Sequence, residues 1–225
     1  MKFIALDLSL NHLIMIYGDL NNLFHKKFIP LSKDRAGTLF TNLEEMISEL
    51  KIDLDSIDVL FSTVGPGNFN GIRISLSLIK GIAISNNTKI AGLSSLELMS
   101  RSFVNRNQQN ICTIIKASPG FYYLEIFDEF YSSVQEAKLI NINEKIKFPF
   151  LDDKIIIVGN EAKNLAKAIK FRGNSLNLSG STPESLYLLA KDSIIKNNYI
   201  DANPKYLREV NAVKPSLWKR KPTVN

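Results

Sequence analysis

The chain holds one cysteine, one tryptophan and two histidines in 225 residues, and each shortage excludes a class of chemistry. Cys112 has no disulfide partner and no metal-ligand companion. Set in Ile111-Cys112-Thr113-Ile114-Ile115, it reads as a small buried hydrophobe. His12 and His25 fall in the N-terminal hairpin region and neither has a helical i,i+4 mate, so no paired-histidine metal site is expected. Nothing in the order of residues argues for a Ser-His-Asp or Cys-His nucleophile. No apolar run approaches the length of a membrane span, and Met1-Lys2 leads directly into a short strand containing Asp7 rather than an apolar leader. A soluble, cytoplasmic protein without membrane association is expected.

Acidic residues are missing from one end. The net charge is +6, but from Val210 onward the chain carries Lys214, Lys219, Arg220 and Lys221 and no acid. About +2 remains on the body, so the basic character is local and does not mark the whole protein as a nucleic-acid binder. With 45% hydrophobic residues, the chain can fill one large domain or two small lobes.

The most informative stretch present is Gly65-Pro66-Gly67-Asn68-Phe69-Asn70-Gly71-Ile72-Arg73. Before it, Ile57–Val64 has the β-branched and aromatic content of a buried strand. After it, Arg73 to Ser85 has helical spacing and no proline. A strand, a glycine turn and a helix start can present free backbone N–H groups to an anion or to a neighbouring backbone. Glycines permit the close approach, and Asn68 can cap the helix. The G-x-G-x-x-x-G spacing is one residue too long for the dinucleotide fingerprint and lacks the Lys-Ser/Thr of a P-loop, so a tight structural joint stands beside a phosphate-facing role. On a helical wheel, Phe69, Ile72, Leu76, Ile79 and Ala83 form one apolar stripe, and Ile74, Leu78 and Ile82 form a second on roughly the opposite side. Such a helix needs two covers, from this chain or another one. Small residues (Gly71, Ser75, Gly81) beside the second stripe assign it to the sheet. Phe69, Ile72, Leu76 and Ile79 are then expected to face a partner, with Leu39, Phe40 and Leu43 of the preceding helix.

Along the chain, strands at Phe3–Leu8, Leu13–Tyr17 and Leu23–Ile29 predict an antiparallel meander. An amphipathic helix over Asp34–Leu50 follows, then a β-α-β-α alternation through Ile57–Val64, the two-striped helix, Lys89–Leu93 and a helix from Ser94, which predicts parallel pairing. Polar Asn105–Asn110 reads as a boundary. Beyond it come strands at Ile111–Ile115, Tyr122–Phe127, Ala137–Ile140 and Ile155–Val158, a helix near Glu161–Ile169, and a helix capped by Thr182 with Pro183 in its first turn. The pattern repeats, so the expected fold is α/β with two tandem lobes, 1–107 and 108–209, and a basic tail at 210–225.

A meander followed by βαβ in each half, with Asp7-Leu8-Ser9 in the first hairpin, resembles the actin/Hsp70/sugar-kinase (ASKHA) superfold. Gly65-Pro66-Gly67-Asn68-Phe69-Asn70-Gly71-Ile72-Arg73 resembles the G-P-G-S-F-T-G-L-R signature of the bacterial TsaB (YeaZ) family. Ala91–Glu97, Gly120-Phe121-Tyr122-Tyr123 and Pro204-Lys205-Tyr206-Leu207-Arg208 match further motifs of that family in order, over essentially residues 1–210. The resemblance implies a non-catalytic accessory subunit in synthesis of threonylcarbamoyladenosine on tRNA. It would pair with a catalytic paralogue, TsaD, work with a small ATPase, TsaE, and reach tRNA through the complex. It would need no cofactor of its own, with ATP or ADP at the complex interface, and could form a homodimer when alone. Asp7, Ser9, Gly65, Pro66, Gly67, Gly71 and Arg73 would be nucleotide-proximal or structural. The second lobe departs from the family by carrying Lys116-Ala117-Ser118 where Asp-Ala-Arg is usual, and a lysine cannot hold Mg²⁺. The alternative is a small-molecule kinase or ATPase of the same superfold, for which Asp7 is the only candidate metal-holding acid.

Overall fold

The computed structural model describes residues 1–31, 33–105, 107–144 and 155–207. The basic tail and Arg208 lie outside the described residues. The first lobe is built on a five-stranded sheet of order β3-β2-β1-β4-β5. Its strands are β1 (Lys2–Asp7), β2 (His12–Asp19), β3 (Leu23–Pro30), β4 (Val59–Gly65) and β5 (Lys89–Ser94). The first three pair antiparallel, and β4 and β5 add in parallel. The second sheet, also five-stranded, has order β10-β9-β6-β7-β8, from β6 (Ile111–Ser118), β7 (Phe121–Phe127), β8 (Ser133–Asn141), β9 (Ile156–Gly159) and β10 (Ser175–Asn177). The short β10 has too few residues to show a period and was not anticipated. Among the described residues, no helix is long and apolar enough to cross a membrane.

Helices α1 (Arg35–Glu49) and α2 (Phe69–Asn86) lie on one face of the first sheet. Each starts on a side-chain cap: the Asp34 and Asn68 carboxyl and amide oxygens accept from the N–H groups of Gly37 and Gly71. Their inner surfaces join Ile4, Leu6, Leu13, Leu60 and Val64 in one core. Helix α3 (Ser95–Arg101) follows β5 and touches both sheets, with Leu96 and Met99 packed beside Ile115 and Phe127. Helix α4 (Ala162–Ala168) covers the outer face of the second sheet through Ala162, Leu165 and Ala166.

Two expectations are corrected. The stripes of α2 exchange roles: Ile72, Leu76 and Ile79 are buried against the sheet, whereas Ile74, Leu78 and Ile82 are only partly buried. The physical reason is that the sheet accepts Gly71 and Ser75 with the stripe next to them; the Ser75 and Ser62 hydroxyls lie 2.7 Å apart across that seam. The second stripe flanks the buried arc instead of opposing it, and it packs on the same core as α1. Leu39 and Leu43 are buried as well, so of the residues expected to face a partner only Phe40 and Phe69 are well exposed.

The second correction concerns the boundary at 108–209. Helix α5 (Pro183–Ile195) returns to the first lobe and lays Leu186, Leu189, Ala190 and Ile194 on the sheet face formed by Phe3, Ile14, Ile16 and Phe61. The following segment stays there. Gly92 N–H donates to the Ile200 carbonyl at 2.7 Å, and Lys205 N–H to that of Val64 at 2.8 Å. The cause is apolar: α1 and α2 cover one face of the first sheet, and the opposite face needs α5.

The glycine joint is held by close approach to the first hairpin. Asn68 N–H donates to the Ser9 carbonyl at 2.6 Å. A Cβ on Gly67 would collide with the Ser9 carbonyl, and one on Gly71 with that of Leu8. Gly71→Val is therefore expected to destabilise the chain by about 3 kcal/mol or more, and Leu76→Glu to prevent folding by burying an unpaired charge. Urea denaturation followed by circular dichroism checks both; a Leu76→Glu chain with the stability of the parent would contradict the burial described.

Candidate functional site

Strand β1 ends at Asp7, at the turn of the β1–β2 hairpin, and the Asp7 side chain is fully buried. One carboxylate oxygen accepts from Ser9 N–H and from the Thr63 hydroxyl, each at 2.8 Å. The other has no hydrogen-bond partner among the described residues and lies 3.8 Å from His12 Nε2, which is likewise unpartnered. The His12 ring is stacked on Phe28 at 4.9 Å. Burial pushes the imidazole below its ordinary pKa, and the neighbouring Asp7 opposes that shift. Asp7 and Ser9 thus meet in one turn, joined there by Thr63 and His12, two residues the sequence does not single out for this place. The adjacent hydroxyls of Ser62 and Thr63 in an otherwise apolar strand are the available signal for Thr63.

The glycine joint closes over this turn. Gly71 N–H is taken by the Asn68 side chain and Asn68 N–H by the Ser9 carbonyl, so these donors at the helix start are spent within the joint. That occupancy favours a structural seam over a phosphate cradle at these two amides. Gly65 and Pro66 are buried beneath the C-terminal segment, with the Lys205 carbonyl close over Gly65. Arg73 reaches toward Phe69 and Tyr206. Its guanidinium lies 3.8 Å from the Phe69 ring centroid, and its Nε donates to the Tyr206 hydroxyl at 3.0 Å. Phe69 and Tyr206 are themselves 5.4 Å apart. Two motifs distant in sequence, the glycine joint and Lys205-Tyr206-Leu207, therefore form one surface.

From the second lobe, Lys116 stands at the end of β6, near the first hairpin, since Ile115 and Leu10 share a hydrophobic cluster. Lys116 Nζ donates to Glu161 at 2.6 Å, and its backbone N–H donates to Asn160 at 2.7 Å. The hydrogen bond to Glu161 raises the lysine pKa, and the same bond lowers that of Glu161. The lysine that replaces the usual acid is thus neutralised by an acid from the start of α4, a pairing across 45 positions that spacing could not reveal. Among the described residues, no group of three His, Cys, Asp or Glu side chains is placed to hold a metal ion.

Comparison with known proteins matches this architecture. The family described as "TsaD: tRNA N6-adenosine threonylcarbamoyltransferase" matches residues 31–149, more than half of the chain. A relative from Buchnera aphidicola subsp. Schizaphis graminum, "tRNA threonylcarbamoyladenosine biosynthesis protein TsaB", is 25% identical over 198 residues, covering 85% of this chain and 90% of the relative. The Fusobacterium nucleatum "tRNA N6-adenosine threonylcarbamoyltransferase" is 26% identical over 139 residues, 61% of this chain and 37% of that protein. The solved structure of YeaZ from Pseudomonas aeruginosa superposes with a TM-score of 0.78 at 18% identity, covering 92% of this chain and 99% of that one. The two-lobed α/β fold, the ordered motifs and the family match together place the chain in the TsaD-type family, on its TsaB (YeaZ) branch.

Proposed function

We propose that this chain acts in the biosynthesis of threonylcarbamoyladenosine on tRNA as a non-catalytic docking subunit that pairs with a TsaD-type transferase. The observation that carries this is the outer face of the α1–α2 layer, left partly bare among the described residues. Phe40 is 52% exposed over a hollow of about 410 Å³ lined by Phe40, Leu43, Glu44, Ile47 and Ser48. On α2, Ile74, Leu78 and Ile82 remain partly bare, Ile84 is 85% exposed, and the space above Gly81 is open. Apolar area of this kind on a helix pair suits a second helix pair, and the open ground at Gly81 lets a neighbouring backbone come close. A paralogue of the same fold brings such a pair, and so does a second copy of this chain when the paralogue is absent.

The non-catalytic assignment is supported by how the candidate phosphate-facing groups are occupied. Asp7 is tied to Ser9 and Thr63, and Lys116 to Glu161, leaving this chain poorly equipped for a metal–phosphate assembly. In this reading the chain requires no cofactor, ATP or ADP sits at the interface of the complex, the ATPase TsaE joins the pair, and tRNA is reached through the assembly, with the basic residues Lys219, Arg220 and Lys221 available for phosphate contact.

Phe40→Glu is expected to leave the fold intact, because the side chain is half exposed, and to abolish co-purification with a TsaD-type transferase along with tRNA modification in reconstitution. Retention of the pair at parental yield would remove the helix face as the docking surface. The isolated chain is expected to show no Mg²⁺-dependent ATP turnover. Steady phosphate release that disappears in Asp7→Asn would instead support a kinase or ATPase.

A further inference from the structure

A second cavity, of about 410 Å³, opens between the lobes away from the Asp7 turn. Its walls come from four places: the end of β5 and α3, strand β7 with the turn into β8, the last turns of α5, and the segment through Lys205. Three carboxylates (Glu97, Glu125 and Asp192) and the Arg101 guanidinium are among its lining groups. Arg101, with its side chain 8% exposed, donates to Glu97 at 3.0 Å and to Asp192 at 2.8 Å, so both acids share a single cation. The Arg101 guanidinium also lies 5.3 Å from the Tyr131 ring centroid.

Glu125 has no such partner. It is 9% exposed on β7 and accepts one hydrogen bond, from the Ser133 hydroxyl at 2.9 Å. Among the described residues it makes no ion pair; Lys205, at the rim, acts on it only through its field. Burial raises the Glu125 pKa, opposed by the Ser133 hydrogen bond and the field of Lys205 rather than by an ion pair. The neighbouring strand positions are apolar: Leu124, Ile126 and Phe127 are buried without polar atoms in their side chains. A lone acid at this position costs stability unless something cationic reaches it. Lys196 and Lys205 are exposed at the outer wall, so the cavity is acidic inside and basic at its mouth.

We propose that this inter-lobe cavity binds a small ligand bearing a positively charged nitrogen, an ammonium or guanidinium group seated against Glu125. The hydroxyls of Ser133 and Ser193 and the ring of Tyr131 line the path to it, and the lysines at the mouth leave room for an anionic group at the other end of the same ligand. Binding would span α3, β7 and α5, and hence tie the two lobes together.

The test is a titration of the isotope-labelled full-length chain with n-propylamine hydrochloride, followed by backbone amide NMR, with sodium propionate and sodium chloride as matched controls. Saturable shifts centred on Glu97, Glu125, Ser133 and Ser193, with propylamine alone, are expected. Glu125→Gln keeps an acceptor for Ser133 and removes the buried charge. It should fold with an unchanged or higher Tm and bind propylamine about tenfold more weakly or worse. Ser193→Phe, which fills the cavity from α5, should abolish the shifts and decides the matter should Glu125→Gln fail to fold. No saturable propylamine shift in the parent chain overturns the proposal, as does undiminished binding in a folded Glu125→Gln. Glu136→Gln, on the exposed strand β8, should bind as the parent does; an equal loss there would mean bulk electrostatics and would also overturn it.

Discussion

The contact between the start of α2 and the Leu8–Ser9 turn is the constraint on which the first lobe depends. Two missing Cβ atoms, at Gly67 and Gly71, let a helix backbone reach a hairpin backbone. The contact fixes the hairpin, which sets Asp7 against Thr63 in the adjacent strand and leaves its second oxygen facing His12. It also fixes the rotation of α2 about its axis. Once Gly71 is against the Leu8 carbonyl, Ser75 meets Ser62, Ile72 and Leu76 go inward, and Gly81 must point out. The turn beside Asp7 and the bare helix face are therefore two results of one close approach.

Much of this was legible because it is local. The meander, the parallel alternation after it, and the caps at Asn68 and Thr182 depend on period and on residues within a few positions of one another. The strands of the second lobe were legible for the same reason, apart from β10, while the return of α5 to the first sheet was not. The rotation of α2 was not. Its apolar residues cover a broad arc, and a wheel drawn without the hairpin carbonyls gives no reason to seat Gly71 beside Ile72 rather than beside Ile74. The Lys116–Glu161 pair was hidden in a different way: each residue looks like an ordinary surface charge until β6 and α4 are brought to the same end of the sheet. Glu125 shows the opposite case. An acid between Leu124 and Ile126 is visible in the sequence, but its meaning depends on a cavity formed by four separate segments.

The two lobes are joined more tightly than a linker would join them. Helix α3 contributes Leu96 and Met99 to a cluster with Ile115 and Phe127, while Leu98 joins the core beneath α5. Arg101 at its end ties Glu97 to Asp192 and so links α3 with α5 through charge as well as through packing. Burying such a triad is costly unless each group is satisfied, and here a guanidinium between two carboxylates meets that requirement. The same junction holds the polar cavity, so the place where the lobes meet is also where charge is concentrated in the interior.

The return of α5 to the first lobe has a consequence for how the protein is made. The second lobe is an insertion between β5 and the helix that finishes the first sheet, so the first lobe is discontinuous along the chain. On the ribosome its strands emerge early, and α1 and α2 can close one side as soon as they are synthesised. The opposite side, with Phe3, Ile14 and Phe61, lacks the cover of α5 until translation has passed through the entire second lobe. For that interval the nascent protein carries an aromatic sheet surface without the cover of α5, and exposed apolar surface of this kind favours aggregation of a product halted before Pro183.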